Sequence, residues 1–194
     1  MNLPNKLTLL RVFLIPFFLL FMYIDVPCKY LIALVVFSAA SVTDALDGKI
    51  ARKRGLVTNF GKFLDPLADK VLVIAALTVF VEMDEVRMSA IPLIIITARE
   101  FMVSGLRLLA AGGGVVVAAG IWGKLKTAFT MVTIIAILFW LSLIYDFSID
   151  FPCSFVDAVN DIAIPVLIWI STALTVISGA VYLKGYWHLI DSDK

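Results

Sequence analysis

The chain has 194 residues, 62% of them hydrophobic, and a mean hydropathy of +1.03. A soluble domain usually contains about 45–50% apolar residues, so these values exclude an ordinary soluble protein and predict one all-α integral membrane domain over residues 1–194. The 16 basic and 15 acidic residues nearly cancel, and the absence of a long basic tract argues against nucleic-acid binding.

Six apolar runs follow one another along the chain, and each approaches or exceeds the roughly 20 residues that cross a bilayer as a helix. They cover residues 9–24, 30–46, 63–81, 90–111, 125–146 and 162–183. The sequence therefore predicts six transmembrane helices.

The segments between the runs alternate in charge. Those after the second and fourth runs are basic, with Lys49, Arg52, Lys53, Arg54, Lys62, Lys124 and Lys126. Those after the third and fifth runs are mainly acidic, with Glu82, Asp84, Glu85, Asp146, Asp150, Asp157 and Asp161. Basic connections face the cytoplasm, so both termini are predicted to be cytoplasmic.

Cys28 and Cys153 are the two cysteines, and both fall in predicted outer connections. Two unpaired thiols are favoured, because sequence alone cannot bring their Cα atoms within bonding range. A disulfide remains the alternative if that face is oxidising.

Four aspartates lie where the second run ends and the third begins. Asp44 and Asp47 are three residues apart, and Asp65 and Asp69 are four apart. Either spacing places two side chains on one face of a helix, and a short connection makes the two helices antiparallel neighbours. Four carboxylates cannot share a small site without cations, and all-oxygen ligands suit Mg²⁺, Mn²⁺ or Ca²⁺.

The residues around the aspartates suit a phosphate ligand. Gly48 and Gly61 allow a helix face to approach a ligand closely. Arg52 lies two helical turns after Asp44 and can donate two hydrogen bonds to one phosphate. Positive-inside anchoring explains the neighbouring Lys53 and Arg54 better.

The pattern Asp-x2-Asp-Gly-x2-Ala-Arg-x8-Gly-x3-Asp-x3-Asp, from Asp44 to Asp69, resembles the signature of the CDP-alcohol phosphotransferase family at every fixed position. The resemblance implies a six-helix homodimer in the bacterial cytoplasmic membrane, with its active site facing the cytoplasm. It implies transfer of a phosphatidyl group from a CDP-linked donor to an alcohol, with release of CMP.

The resemblance also assigns roles to residues. The four aspartates would hold two ions, Mg²⁺ or Mn²⁺, on the donor pyrophosphate, and Asp69 would act as general base. Gly48, Ala51, Arg52 and Gly61 would surround the cytidine and phosphates.

Asn5, Thr8 and Arg11 share one side of the first predicted helix at its cytoplasmic entry. Donor binding by Asn5 and Thr8 is one interpretation. An N-cap with interfacial snorkelling is the other.

The acceptor must be inferred from basic residues farther along the chain. Arg99, Arg107, Lys124 and Lys126 are more cations than a neutral alcohol requires, and they suit an acceptor that carries a phosphate. Their segments resemble those of the bacterial family members that make phosphatidylglycerophosphate. This implies CDP-diacylglycerol as donor and sn-glycerol 3-phosphate as acceptor. Arg99 and the adjacent Glu100 should point in different directions, each with its own partner or an aqueous cavity.

Other functions remain open at this point. A different acceptor within the family, such as inositol phosphate, serine or phosphatidylglycerol, is the nearest alternative. A divalent-cation transporter is less favoured, because transporter sites usually lie at the midplane of repeated halves. A membrane scaffold leaves the strict aspartate spacing unexplained. The small residues at 178–180 in the last run should allow close helix contact.

Overall fold

The computed structural model describes the backbone of residues 3–54, 59–112 and 120–187; the side chains of residues 3–7, 44–54, 59–66, 69 and 111–112 lie outside the description. Within these ranges the chain is all-helical and contains no strand, which confirms the predicted class. The described residues form six long helices: α1 (Leu3–Tyr23), α2 (Lys29–Arg54), α3 (Asn59–Glu82), α4 (Ala90–Gly112), α5 (Ile121–Asp146) and α6 (Cys153–Tyr186).

The helices extend beyond the apolar runs. The second run ends at residue 46, but α2 continues to Arg54, and α3 begins at Asn59, before its run at residue 63. Backbone hydrogen bonding needs no apolar side chain, whereas an apolar run marks only the part suited to hydrocarbon. All four aspartates therefore lie within helices.

The helices form one bundle around a common interior. α1 packs against α2 and α3, α2 also packs against α5, and α6 packs against α4 and α5. Phe18 and Phe37 are fully buried, with ring centroids 5.8 Å apart. The fully buried Ala33 and Ala40 on α2 let neighbouring backbones approach closely, as in packed membrane helices.

The outer surface of the bundle is apolar. Large exposed side chains include Phe13, Phe17, Val35, Ile94, Phe101, Leu108, Val132 and Trp169. Among the described residues, two helices are long and apolar enough to cross a bilayer, Ile121–Asp146 and Cys153–Tyr186, and two apolar stretches are shorter, Thr8–Tyr23 and Lys29–Thr43. An apolar exterior around a packed interior indicates a membrane protein.

Acidic turns gather at one end of the bundle. Tyr23 Oη at the end of α1 donates to Glu82 Oε2 at the end of α3, over 2.5 Å. The backbone N–H of Leu31 in α2 donates to Asp146 Oδ2 in α5, over 2.6 Å. Arg87 pairs with Asp161 of α6. These contacts join predicted outer connections, and we call this region the acidic end.

Cys28 and Cys153 both lie at the acidic end as free, exposed thiols. The interpretation as unpaired thiols is therefore the one that the structure supports.

Two helices contain wider turns near the acidic end. The last five residues of α5, Ser142–Asp146, are π-helical, and so is the segment Val159–Ala163 within α6. Asn160 in the second π-turn accepts a hydrogen bond of 2.8 Å from Trp140 Nε1. This bond ties the π-turn of α6 to α5.

Candidate functional site

A cavity of about 560 Å³ opens at the end of the bundle opposite the acidic end. It is bounded by α3, α4 and α5, and charged or polar side chains occupy much of its wall. The described residues that line it are Lys70, Arg99, Glu100, Val103, Ser104, Arg107, Gly123, Lys124, Thr127 and Ala128. We call this space the cationic cavity, because four of these side chains are basic and one is acidic.

Helix α4 supplies the central wall through its regular spacing. Arg99, Val103 and Arg107 recur every four residues, as do Glu100 and Ser104, so the two rows lie side by side on one face. A single helical stretch thus brings two guanidinium groups to the same cavity, and their role toward an acceptor phosphate stays a prediction.

Glu100 is the centre of a buried ion cluster. Its Oε1 accepts from Arg99 Nη1 over 3.1 Å and pairs with the ammonium group of Lys126. The side chains of Arg99, Glu100 and Lys126 are only 9%, 15% and 5% exposed. Charges removed from water need a partner with good geometry, and each of the three has one.

The contact of Arg99 with Glu100 corrects the prediction that these adjacent side chains point in different directions. The predicted separate partners and cavity are present, because Arg99 also donates to Ser178, Glu100 pairs with Lys126, and both Arg99 and Glu100 line the cationic cavity. Neighbouring Cα–Cβ bonds on a helix do diverge, but the long side chain of Arg99 bends toward the next residue, and its Nη1 donates to the carboxylate of Glu100. The positions of two residues in a helix predict the directions of their Cα–Cβ bonds, but not where the charged groups of long side chains lie.

Lys124 and Lys126 occupy different environments. Lys124 lines the cationic cavity, whereas Lys126 borders a smaller adjoining space of about 20 Å³ with Lys70, Glu100 and Thr127. Its ion pair with Glu100 gives Lys126 an internal partner. Of the four predicted acceptor-phosphate residues, Arg99, Arg107 and Lys124 line the cavity. Lys126 instead pairs with the cavity residue Glu100.

Lys70 of α3 is a cavity residue that the sequence analysis missed. Its ammonium group donates to Ser104 Oγ of α4, and Ser104 Oγ in turn donates to the carbonyl oxygen of Glu100 over 2.6 Å. The available signal was its position directly after Asp69 in the motif.

Helix α6 supplies hydrogen-bond acceptors to both arginines, which the sequence analysis did not predict. Arg99 Nη2 donates to Ser178 Oγ over 2.6 Å, and Arg107 Nη2 donates to Tyr182 Oη over 3.0 Å. Ser178 and Tyr182 are four residues apart, so polar residues on one helical face were the signal that could have found them.

The side chains of the four aspartates, Ala51 and Arg52 lie outside the description, as do the surroundings of Gly48 and Gly61. The described backbone places Asp44 and Asp47 in α2 and Asp65 and Asp69 in α3. The chemistry of the predicted donor set, four carboxylates on two helices, is the kind that hard divalent ions prefer. Asp69 immediately precedes the cavity residue Lys70, so the motif continues directly into the cavity wall.

At the start of α1, Thr8 and Arg11 are 1% and 0% exposed. Interfacial snorkelling requires a charged group in contact with water, so it does not describe Arg11. Asn5 lies within α1, which begins at Leu3, and not at a cap before it. Its side chain is outside the description.

Known proteins resemble this chain over most of its length. The sequence model of the family described as CDP-alcohol phosphatidyltransferase matches residues 1–177. A Bacillus subtilis protein named CDP-diacylglycerol–glycerol-3-phosphate 3-phosphatidyltransferase is 41% identical over 205 residues, covering 100% of this chain and 99% of that protein.

Two further relatives carry the same name. The Rickettsia bellii protein is 40% identical, with 94% of each chain covered. The Haemophilus influenzae protein is 38% identical over 94% of this chain and 92% of its own. The Asp44–Asp69 motif, the helical fold and these similarities agree, and the chain belongs to the CDP-alcohol phosphatidyltransferase family.

Proposed function

We propose that this protein transfers the phosphatidyl group of CDP-diacylglycerol to sn-glycerol 3-phosphate, giving phosphatidylglycerophosphate and CMP. The observation that carries the proposal is the cationic cavity, whose α3 wall begins at the residue after Asp69. The names of the relatives support the same pair of substrates.

The charge of the cavity favours an acceptor that bears a phosphate. Among the described residues, four basic side chains and one carboxylate line it, and Glu100 is already paired with Arg99 and Lys126. A phosphate monoester matches the excess positive charge, and arginine presents several N–H donors to phosphate oxygens. A neutral alcohol such as inositol would leave that charge without a ligand partner.

The reaction is a displacement at phosphorus. A hydroxyl oxygen of glycerol 3-phosphate forms a bond to the phosphorus that carries diacylglycerol, and the bond from that phosphorus to the oxygen of CMP breaks. The proton of the attacking hydroxyl passes to Asp69, the proposed general base, which must lie within hydrogen-bond reach of it. CMP leaves with the bonding electron pair.

The motif residues bind the donor in this proposal. Asp44, Asp47, Asp65 and Asp69 would hold two divalent ions, Mg²⁺ or Mn²⁺, which supply Lewis-acid stabilisation of the phosphoryl oxygens when bound. The residues proposed to contact the nucleotide and its phosphates are Asn5, Thr8, Gly48, Ala51, Arg52 and Gly61.

The proposed setting is a bacterial cytoplasmic membrane, crossed six times, with both termini and the cationic cavity facing the cytoplasm. The acidic end then faces outward, in the sense that the positive-inside rule requires. The functional unit in this proposal is a homodimer, as the family resemblance implies.

The experiment gives purified protein CDP-diacylglycerol with a panel of labelled acceptors: glycerol 3-phosphate, inositol phosphate, serine, inositol and phosphatidylglycerol. We expect CMP release with glycerol 3-phosphate alone, abolished by Asp69→Asn and by a chelator, and restored after chelation by Mg²⁺ or Mn²⁺. Release with inositol phosphate instead would overturn the acceptor. Full activity of a folded Asp69→Asn protein would remove the general base, and indifference to chelation would remove the metals.

A further inference from the structure

We propose that Ser178, Gly179 and Tyr182 of α6 form a platform that positions Arg99 and Arg107 for the acceptor phosphate. This inference rests on the proposed function, because it concerns the ligand of the cationic cavity. The family model ends at residue 177, so the platform lies beyond the part of the chain that the family pattern describes.

Tyr182 contacts both arginines at once. The guanidinium carbon atoms of Arg99 and Arg107 lie 5.5 and 5.4 Å from the centroid of its ring, within the distance of a cation–π interaction. Tyr182 is only 4% exposed, so the ring is a fixed surface. One side chain therefore sets the position of both cationic groups.

The hydroxyl of Tyr182 also connects two walls of the cavity. It accepts from Arg107 Nη2 of α4 over 3.0 Å and from the backbone N–H of Gly120 over 2.9 Å. Gly120 directly precedes α5, which carries Lys124. The same oxygen atom thus fixes an arginine and the start of the helix that supplies the cavity lysine.

Ser178 and Gly179 hold the side chain of Arg99. Ser178 is fully buried, and its Oγ accepts from Arg99 Nη2 over 2.6 Å. A Cβ atom added at Gly179 would lie 3.1 Å from Arg99 Cγ and 3.4 Å from Met102 Cε. Because residue 179 has no side chain, the aliphatic part of the Arg99 side chain can pack directly against α6.

These contacts leave donors for a ligand. An arginine carries five N–H donors, and the platform uses one from each guanidinium while Glu100 accepts another from Arg99. A guanidinium held in place before the ligand arrives loses less freedom on binding. The platform thus acts through the arginines, and its three members are positioning residues.

The test compares steady-state kinetics of Tyr182→Phe and Tyr182→Leu with those of the whole wild-type protein. Tyr182→Phe removes only the hydroxyl, and we expect KM for glycerol 3-phosphate to rise about tenfold. Tyr182→Leu also removes the ring, and we expect a rise of roughly 30-fold. KM for CDP-diacylglycerol should stay within about twofold in both variants, since the described polar contacts of Tyr182 are with Arg99, Arg107 and Gly120.

Tyr145→Phe is the matched control, because it removes the same hydroxyl from an exposed tyrosine at the acidic end. A second matched pair lies on α6 itself. Gly179→Ala pushes on the stem of Arg99 and should raise KM for glycerol 3-phosphate about fivefold. A Cβ atom at Gly185 meets nothing within 4 Å, so Gly185→Ala should leave KM unchanged.

The outcomes separate the platform from the proposed function. Unchanged KM for glycerol 3-phosphate in Tyr182→Phe and Gly179→Ala would overturn the platform. So would an equal loss of kcat for every substrate together with a fall in Tm, since that indicates only a structural role. If the wild-type protein releases no CMP with glycerol 3-phosphate, the proposed function fails. In that case, the affinity for inorganic phosphate is measured by calorimetry. A lower affinity in Tyr182→Leu than in Tyr145→Phe would support the platform, and equal affinities would overturn it.

Discussion

The acidic end and the cationic cavity both contain ion pairs, but in opposite environments. At the acidic end, the side chains of Arg87 and Asp161 are 64% and 45% exposed. In the cluster behind the cavity, those of Glu100 and Lys126 are only 15% and 5% exposed. Exposed pairs contribute about 0–1 kcal/mol, whereas buried ions lose several kcal/mol of hydration. The comparison teaches that the burial of an ion pair, and not its presence alone, distinguishes the charged residues that matter to a functional site.

The largest effect is expected from Glu100→Gln, which keeps the shape of the side chain and removes its charge. Arg99 and Lys126 would then share the interior without a carboxylate. Removing one partner of a buried pair costs about 3–5 kcal/mol, and we expect about 3 kcal/mol because Glu100 borders the cavity. Unfolding in detergent measures the loss. A variant as stable as the wild type would show that Glu100 does not compensate these cations.

A smaller effect is expected from Thr130→Val, within the packed interior near the cavity. The Thr130 hydroxyl shares a buried hydrogen bond of 2.7 Å with Ser171, which links α5 to α6. Such bonds between membrane helices contribute about 0.6 kcal/mol on average and about 1.7 kcal/mol at most. Thr78→Val is the control, because Thr78 donates within its own helix to the carbonyl of Ile74. Equal losses in the two variants would remove the special contribution of the link between helices.

The smallest effect is expected at the acidic end, from a double-mutant cycle on Arg87→Ala and Asp161→Ala. The coupling free energy should be below about 1 kcal/mol and should decrease further at high salt. Transferase activity should not change, because Arg87 in the connection between α3 and α4 and Asp161 near the start of α6 both lie at the end of the bundle opposite the cavity. A coupling as large as the effect of Glu100→Gln would contradict the distinction between the two ends.

The sequence predicted the helices well, because apolar runs are a local property of the chain. It missed the extension of α2 and α3 into polar segments, since helical hydrogen bonds do not depend on hydropathy. The sequence grouped Arg99 and Arg107 by charge alone, and the structure shows that both line the cationic cavity. The small residues at 178–180 were expected to allow close contact, and the approach of Gly179 to Arg99 and Met102 confirms this.

The partners of the charged groups were harder to predict, because they depend on contacts between helices distant in the chain. Tyr182 lies 75 residues from Arg107, which donates to it, and no local pattern encodes that distance. Lys126 has the same charge as Lys124 and lies close to it in the chain, yet only Lys126 is ion-paired with Glu100. That ion pair joins α5 to α4, and the local sequence does not encode it. The motif residues from Asp44 to Asp69 remain sequence predictions, since their side chains lie outside the description.

The π-turn at Val159–Ala163 lets α6 contain one extra residue at the acidic end. A π-turn accommodates one residue more than an α-turn, and each residue of an α-helix advances the direction of its side chains by about 100°. If one residue were deleted from the π-turn, an α-turn could replace it, and Ser178 and Tyr182 would keep about the same direction toward α4. The same deletion in the α-helical turns between residues 164 and 177 would rotate Ser178 and Tyr182 by about 100° relative to the start of α6. A change of one residue in length is therefore tolerated near one membrane surface but not along the part of α6 that leads to the arginines.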